Sequence, residues 1–312
     1  MEYERQVFYR STMALALEQI DFDPGKSFRF LAWTDNLTEV VQCRADGTTV
    51  SVKGAGESWH FHPEYELTLV TEGRGKRFVG DHVGSFRSPD LVLLGPNLPH
   101  CWSGLEGSSG FAIQFVMDQS HPVGMLDEIR HLTKLLQGAA GGIHFTGDIV
   151  SRIEEAMRKM TNEKMIYRLS TFFRILAELS SVDEDQCHQL SSSHSTINEH
   201  DPHMTAMSQA VSYILSHISE EIHIDELLQV TKMSRPSFAR HFKRHTGKTV
   251  TAFLNEVRIV NAKRLLAETN RPVTEIAYAS GFQNISHFNV QFRRASSESP
   301  SQYRKRQTLS VS

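Results

Sequence analysis

Two stretches in the last third of this 312-residue chain share one layout, fifty residues apart. In the first, Ile224-Asp225-Glu226-Leu227-Leu228 leads through Lys232-Met233-Ser234 into a basic segment, Arg235–His245. In the second, Val273-Thr274-Glu275-Ile276-Ala277 leads through Ser280-Gly281-Phe282 into Asn284–Arg294. Each trailing segment has two Phe four residues apart, Phe238/Phe242 and Phe288/Phe292, which sets both rings on one helix face. Ser234 and Asn284 stand where N-caps belong. Pro236 lies in a first turn, where its missing N–H costs nothing, and Gly281 suits a left-handed turn. With the Phe pairs inward, Arg240, Lys243 and Arg244 point outward in the first unit, and Arg293 and Arg294 close the second. Between the units, Val250–Glu268 predicts one amphipathic helix through Phe253, Leu254, Val257, Ala262, Leu265 and Leu266. Such a pattern can be an ordinary bundle of two αα-hairpins or two helix-turn-helix units on a connecting helix. The duplication, the matched Phe pairs and the basic charge favour the second, because two such trailing helices can enter successive major grooves about 34 Å apart.

Charge is distributed accordingly. Residues 204–312 hold 15 Lys/Arg against 8 Asp/Glu, while the rest of the chain holds 18 against 28. A basic tail domain behind an acidic front domain is the footprint of a polyanion partner. The three cysteines, Cys43, Cys101 and Cys187, are far apart and show no C-x-x-C, which excludes a disulfide framework or zinc ribbon and fits a reducing compartment. The N-terminal MEYERQVFYR lacks a signal-peptide apolar core, and no apolar run is long enough to span a bilayer. A cytoplasmic, non-membrane protein is the expectation.

The rear motifs resemble the AraC family of bacterial transcription regulators across about 212–306. The matching residues are Arg258-x3-Ala262-x2-Leu265-Leu266, Val273-Thr274-Glu275-Ile276-Ala277-x3-Gly281-Phe282, Phe288-x3-Phe292-Arg293 and Pro300-Ser301-Gln302-Tyr303-Arg304. The resemblance implies that the second helix of each unit enters the major groove of promoter DNA. Carried over by position, the base-facing side chains are Pro236, Ala239 and Arg240, then Ile285, Ser286, Asn289 and Val290. Arg235, Ser237, Lys243, Asn284, His287, Arg293 and Arg294 complete the expected DNA face. The chain departs from the family pattern at Leu228 (usually small), at Lys232 and Ser297 (usually Gly) and at Val290 (often basic). Arg240 is then the expected base-edge donor, to guanine, while Ile285 and Val290 offer only apolar contact to thymine methyls. The first half is expected to read bases by hydrogen bonds. The second adds shape fit and phosphate anchoring through Arg293 and Arg294.

Residues 1–120 read as β-rich. Phe28–Trp33, Glu66–Val70, Lys76–Val79, Leu91–Leu94 and Phe111–Phe115 are strand candidates, and Ala45-Asp46-Gly47 and Glu72-Gly73-Arg74-Gly75 are turn signals, together suggesting a sandwich or barrel. Met125–Gln137 and Asp148–Ser180 change to helical spacing, separated by a Gly-rich joint at 138–142. The segment 181–203 is polar and Ser/His-rich and reads as a flexible linker, because it offers too little apolar surface to offset ordering. Its His188, His194, His200 and His203 match no standard metal spacing.

The front part also holds Gly54-x5-His60-x-His62-x3-Glu66-x6-Gly73 and Pro96-x2-Pro99-His100. Residues two apart on a strand share a face, so His60 and His62 point together and Glu66 can join them. This spacing resembles the cupin barrel motifs, the second imperfectly. The stretches Tyr65-Glu66, Gly80-Asp81-His82 and Gly95–Trp102 are similar to AraC-type regulators with a front barrel. Three readings stay open: a divalent metal on His60, His62, Glu66 and His100, a metal-free effector pocket made by these residues with Trp102, or histidines satisfied within the core. Trp59 and Trp102 flank the histidines, and an aromatic face suits a sugar ring.

The expected architecture is therefore α+β and multidomain. A cupin-like sensor barrel covers 1–120, a helical dimerisation segment 121–180, a linker 181–203 and an all-α tandem helix-turn-helix domain 204–312. The expected function is ligand-responsive transcription regulation. Its partners would be double-stranded promoter DNA, a small-molecule effector, a second copy of the chain through the stripe Leu169, Phe172, Phe173 and Leu176, and RNA polymerase if the protein activates. The alternative is a metal-dependent cupin enzyme, an isomerase or dioxygenase, with a helical appendage.

Overall fold

The structure is a computed structural model that describes residues 18, 20, 28–117, 126–192 and 203–309. The N-terminal MEYERQVFYR, Met125, His194 and His200, which figure in the sequence reading, lie outside the described residues. The chain divides into two units: a rear one made chiefly of His203–Ser312, with which Val83–Ser85 is grouped, and a front one that holds Leu15–His82 and Phe86–Pro202.

The front unit is built on one antiparallel sheet. Its strands are β1 (Phe28–Trp33), β2 (Glu39–Cys43), β3 (Thr49–Lys53), β4 (Tyr65–Val79), β5 (His82–Arg87), β6 (Asp90–Leu94), β7 (His100–Phe115), β8 (Ile143–Phe145) and β9 (Cys187–Gln189). The order is β3-β2-β1-β7-β4-β6-β8-β9, with β5 paired to β4. Both faces of the central strands are buried, so alternate residues go to different cores. Phe30, Leu67, Leu69, Leu91, Leu93, Phe111 and Ile113 face one core, and Leu31, Val70, Val92, Leu94, Trp102 and Ala112 face the other. That is why the run Asp90–Leu94 is buried at every position.

Glu72–Gly75, expected as a turn, instead lies inside β4. The long β4–β7 ribbon absorbs its glycines as register shifts between Val70 and Lys76, with Gly73 at φ +105°. Ala45-Asp46-Gly47 does turn the chain, with Asp46 Oδ1 accepting from Thr48 N at 2.8 Å and Gly47 at φ +92°.

Helices α1 (Thr133–Gly138), α2 (Asp148–Met160) and α3 (Met165–Ser180) cover one face of the sheet. The stripe expected to pair two chains is used here. Phe172 stacks on Phe28 at 4.6 Å and meets Phe115 at 5.2 Å, Leu176 is fully buried, and Leu169 and Phe173 pack half-buried against the same core. An apolar helical stripe reports a buried face but not whose surface buries it, and the sheet of the same chain does so.

The segment 181–192 is also not a free linker. Cys187–Gln189 pairs with β8, and Ser191 and Ser192 bind Asp81 through hydroxyl and amide donors at 2.6–3.0 Å. Hydrogen bonding holds this stretch, which composition cannot register. His188 lies on β9 beside Thr146, and the ring of His203 packs tilted against that of His241 at 3.9 Å.

The rear unit is all helical: α4 (Met204–Ser216), α5 (Ile224–Thr231), α6 (Arg235–Thr246), α7 (Val250–Glu268), α8 (Val273–Ala279), α9 (Ile285–Ser296) and α10 (Pro300–Leu309). Phe238 and Phe242 are fully buried with Leu227, Phe253 and Val257, and Phe288 and Phe292 pack with Ile276, Phe282 and Leu266. Arg258 on α7 ties the loop before α5 to the bundle, donating to Ile218 O (3.1 Å) and Glu220 O (2.6 Å).

Candidate functional site

The rear unit presents two exposed helical faces. On α6, Arg235, Pro236, Ala239, Arg240 and Lys243 are exposed and Ser237 is half-buried. On α9 and its cap, Asn284, Ser286, His287, Asn289, Val290, Arg293 and Arg294 are exposed and Ile285 is half-buried. The buried Phe pair on each helix fixes which side faces out, so every proposed DNA-facing residue reaches the surface. Three are already engaged. Arg235 pairs with Asp225 at 2.9 Å, Asn284 Oδ1 caps α9 by accepting from His287 N at 3.0 Å, and His287 Nε2 lies 3.3 Å from Gln291. Ser234 holds the N-cap position of α6, but its side chain makes no cap bond.

The turns keep a glycine geometry without glycine. Lys232, between α5 and α6, has φ +53°, and Ser297, after α9, has φ +59°. These are two of the positions where the chain departs from the family pattern. Gly281 has φ +91°, and a Cβ there would lie 2.1 Å from Ile218 O.

In the front unit, His60, His62 and His100 are fully buried, and one ring nitrogen of each lies within 4.8 Å of those of the others. His60 and His100 are brought together by a β-bridge between their backbones. Each Nδ1 faces a backbone carbonyl: Ser58 O (2.7 Å), Glu64 O (3.2 Å) and Leu98 O (2.7 Å). A carbonyl only accepts, so each Nδ1 holds a proton, while Nε2 of His62 meets the Glu66 carboxylate and Nε2 of His60 faces Glu18. His100 Nε2 is buried without a partner among the described residues. This is the arrangement in which imidazoles bind a divalent cation, with the distal N–H anchored to a carbonyl.

Burial pushes His60 down, and burial with the neighbouring His60 pushes His100 well down, so both stay neutral, as metal ligands must be. His62 behaves oppositely. Burial alone would lower it, but the Glu66 hydrogen bond and the charges of Glu66, Glu18 and Glu64 together outweigh this and raise it. Burial likewise would raise Glu66, and His62, His100 and the Thr68 hydroxyl hold it low instead.

Glu66 was expected as a fourth ligand, and it is not in the converging set. Its carboxylate is held by His62 Nε2 (3.1 Å), Gln114 Nε2 (2.9 Å) and the Thr68 hydroxyl. Glu18 Oε2 lies 3.4 Å from His60 Nε2. A divalent metal on His60, His62 and His100 would have to displace Glu66 and the proton from His62 Nε2, and Glu18 from His60, and it would then supply a Lewis acid for ligand oxygens.

His60 opens on a cavity of about 40 Å³, inside a cleft of about 480 Å³ that includes open solvent, whose walls include Arg29, Trp33, His60, Glu66, Trp102 and Gln114. Trp102 lines it as expected. Trp59 is buried and not on its wall, and Trp33 takes that place. Sequence reasoning missed Arg29, Gln42 and Gln114. The available signal was a polar residue inside an apolar strand, as in Phe28-Arg29-Phe30 and Ile113-Gln114-Phe115.

The chain matches the helix-turn-helix domain family over residues 227–306. It is 26% identical over 255 residues to the HTH-type transcriptional activator RhaS of Pectobacterium carotovorum subsp. carotovorum, covering 78% of this chain and 86% of that protein. It is 24% identical over 255 residues to RhaS of Pectobacterium atrosepticum, with the same coverage. Among solved structures, the DNA-binding domain of the global transcriptional factor AdpA, in complex with a target DNA, is 31% identical. It covers 32% of this chain and 90% of that one, at a TM-score of 0.31.

Two helix-turn-helix units on one connecting helix, joined in sequence to a β-rich front unit, are the layout of a DNA-binding transcription regulator. More narrowly, residues 227–306 belong to the helix-turn-helix domain family, and the chain is similar over most of its length to HTH-type transcriptional activators, with a β-rich N-terminal domain. In the alternative of a cupin enzyme with a helical appendage, the appendage is the part of the chain that matches the helix-turn-helix domain family.

Proposed function

We propose that the protein is a ligand-responsive, sequence-specific regulator. Its rear unit would bind promoter DNA through α6 and α9, and its cupin-like front unit would sense a small molecule. The observation that supports this reading is the pair of trailing helices, each anchored by two buried Phe and each exposing the residues that would reach base edges. Effector binding would shift the population of DNA-binding-competent states. The RhaS relatives are called activators, and activation with a contact to RNA polymerase is the corresponding proposal for this chain.

Selection of bound sequences from random duplex DNA by the full chain, in a salt series, tests the reading. Binding should weaken steeply with salt, by about 0.9 log units per log unit of salt for each phosphate contacted. Failure to retard any duplex at low salt would falsify it. The reading includes two copies acting together: a dimer in sedimentation at micromolar concentration supports that part, and a monomer overturns it.

A further inference from the structure

Arg29 is buried in the wall of the front cavity, 8% exposed. Its guanidinium touches two neutral acceptors. Nε donates to Gln42 Oε1 at 3.2 Å, and Nη1 donates to Gln114 Oε1 at 3.3 Å. Among the described residues no carboxylate lies within ion-pair distance of it. Arg77, equally buried, is met by Asp90. A buried guanidinium without a counter-charge is costly, and a fork of five donors using only two is unsatisfied by amides alone.

The sheet register shows that this placement is built. Arg29 on β1 sits opposite Gln114 on β7, and Gln114 sits opposite Glu66 on β4. Gln114 Nε2 donates to Glu66, which turns Gln114 Oε1 toward Arg29. One row across three strands thus runs from a free positive charge to a carboxylate already engaged by His62, Thr68 and Gln114. The amide of Gln114 separates Glu66 from Arg29, and Glu18, the other carboxylate on the cavity wall, lies beside His60 instead, so the guanidinium keeps donors open toward the cavity for a ligand.

We propose that the effector is a small hydroxylated carboxylate, which rests on the reading of the front unit as a sensor. Its carboxylate takes the open donors of Arg29. Its hydroxyls meet the polar row of Gln114 and Thr68, and its carbon skeleton lies against Trp33 and Trp102. A neutral sugar, the class suggested by the aromatic walls alone, would leave the guanidinium unmet.

The test uses the full-length protein. All three Trp lie in the front unit and two line the cavity, so tryptophan fluorescence and its thermal transition report occupancy. The probes are D-gluconate and D-galacturonate, with D-glucitol and D-galactose as neutral counterparts, at millimolar concentration. At least one acid is expected to bind and raise the transition, and its neutral counterpart is not. Arg29→Gln should weaken that acid by about 10- to 100-fold. Arg29→Lys, which keeps the charge without the fork, should recover part of it and serves if Arg29→Gln fails to fold. The carboxylate assignment is overturned if the neutral compounds bind as well as the acids, if the acids bind Arg29→Gln unchanged, or if no probe binds. Acids that bind through Arg29 but leave DNA affinity unchanged would overturn the sensor reading instead and leave the carboxylate site standing.

Discussion

Gly281 illustrates how one position can be held by two independent constraints. Its φ of +91° disfavours any side chain, and a Cβ would meet Ile218 O at 2.1 Å and the Arg258 guanidinium at 2.7 Å. Gly281→Ala should therefore destabilise the rear unit by about 2 kcal/mol or more, read from urea denaturation followed by far-UV circular dichroism. Lys232 and Ser297 show the reverse. Both sit in left-handed conformations that cost an L-residue energy. Lys232→Gly should be neutral to stabilising, by at most about 1 kcal/mol once the extra chain entropy of glycine is counted.

His245 adds a pH dependence. Burial, then the neighbouring Arg244 charge, lowers its imidazole from the usual 6.5 to about 4. The unfolded chain therefore binds the proton more readily, so this contribution is present above about pH 6.5 and lost as pH falls toward 4. The loss reaches about 3 kcal/mol. His245→Gln should flatten that part of the stability–pH curve; an unchanged curve would refute the assignment.

At the scale of elements, α6 and α9 share a scaffold and differ in chemistry. The exposed face of α6 has Arg240 and Lys243, while that of α9 has Ser286, Asn289 and Val290 before Arg293 and Arg294. Arg240→Ala is expected to relax preference at one base pair by about 1–3 kcal/mol. Arg293→Ala should weaken all sequences alike and lower the salt slope by about 1. Equal loss of sequence preference from both would overturn the division of labour.

The strands and α3 show where element-scale reading stops. The helical period of 169–179 was plain in the sequence, but its burying surface was not, since Phe28 and Phe115 lie far away along the chain. Likewise the alternation of β1 and β7 was visible. That Arg29, Gln114 and Glu66 form one row required the register of three strands separated by up to 85 residues.

At the scale of the whole molecule, charge and aromatic content are segregated. The basic excess lies in the rear unit and all the tryptophans in the front. Two probes can therefore follow two units in one sample. Zinc or nickel added to metal-stripped protein should raise the tryptophan-reported transition and leave the helical transition of the rear unit in place. His100→Ala should abolish that response. A rise in both transitions, or in neither, would count against a metal on the three histidines.

The sequence by itself determined the rear unit almost completely, because its information is local. Caps, a left-handed Gly, Phe pairs at four-residue spacing and outward arginines are read within a turn or two of helix, and the helix boundaries followed to within two residues. It also assembled His60, His62 and His100, two of them through strand parity. Tertiary structure alone decided what those groups face. Sheet register held Glu66 back from the converging imidazoles, folded the supposed pairing stripe onto its own sheet, drew 187–189 into the sheet edge and left Arg29 buried without a carboxylate. Each outcome depends on contacts between residues distant in the chain, where the spacing of side chains along one segment has no bearing.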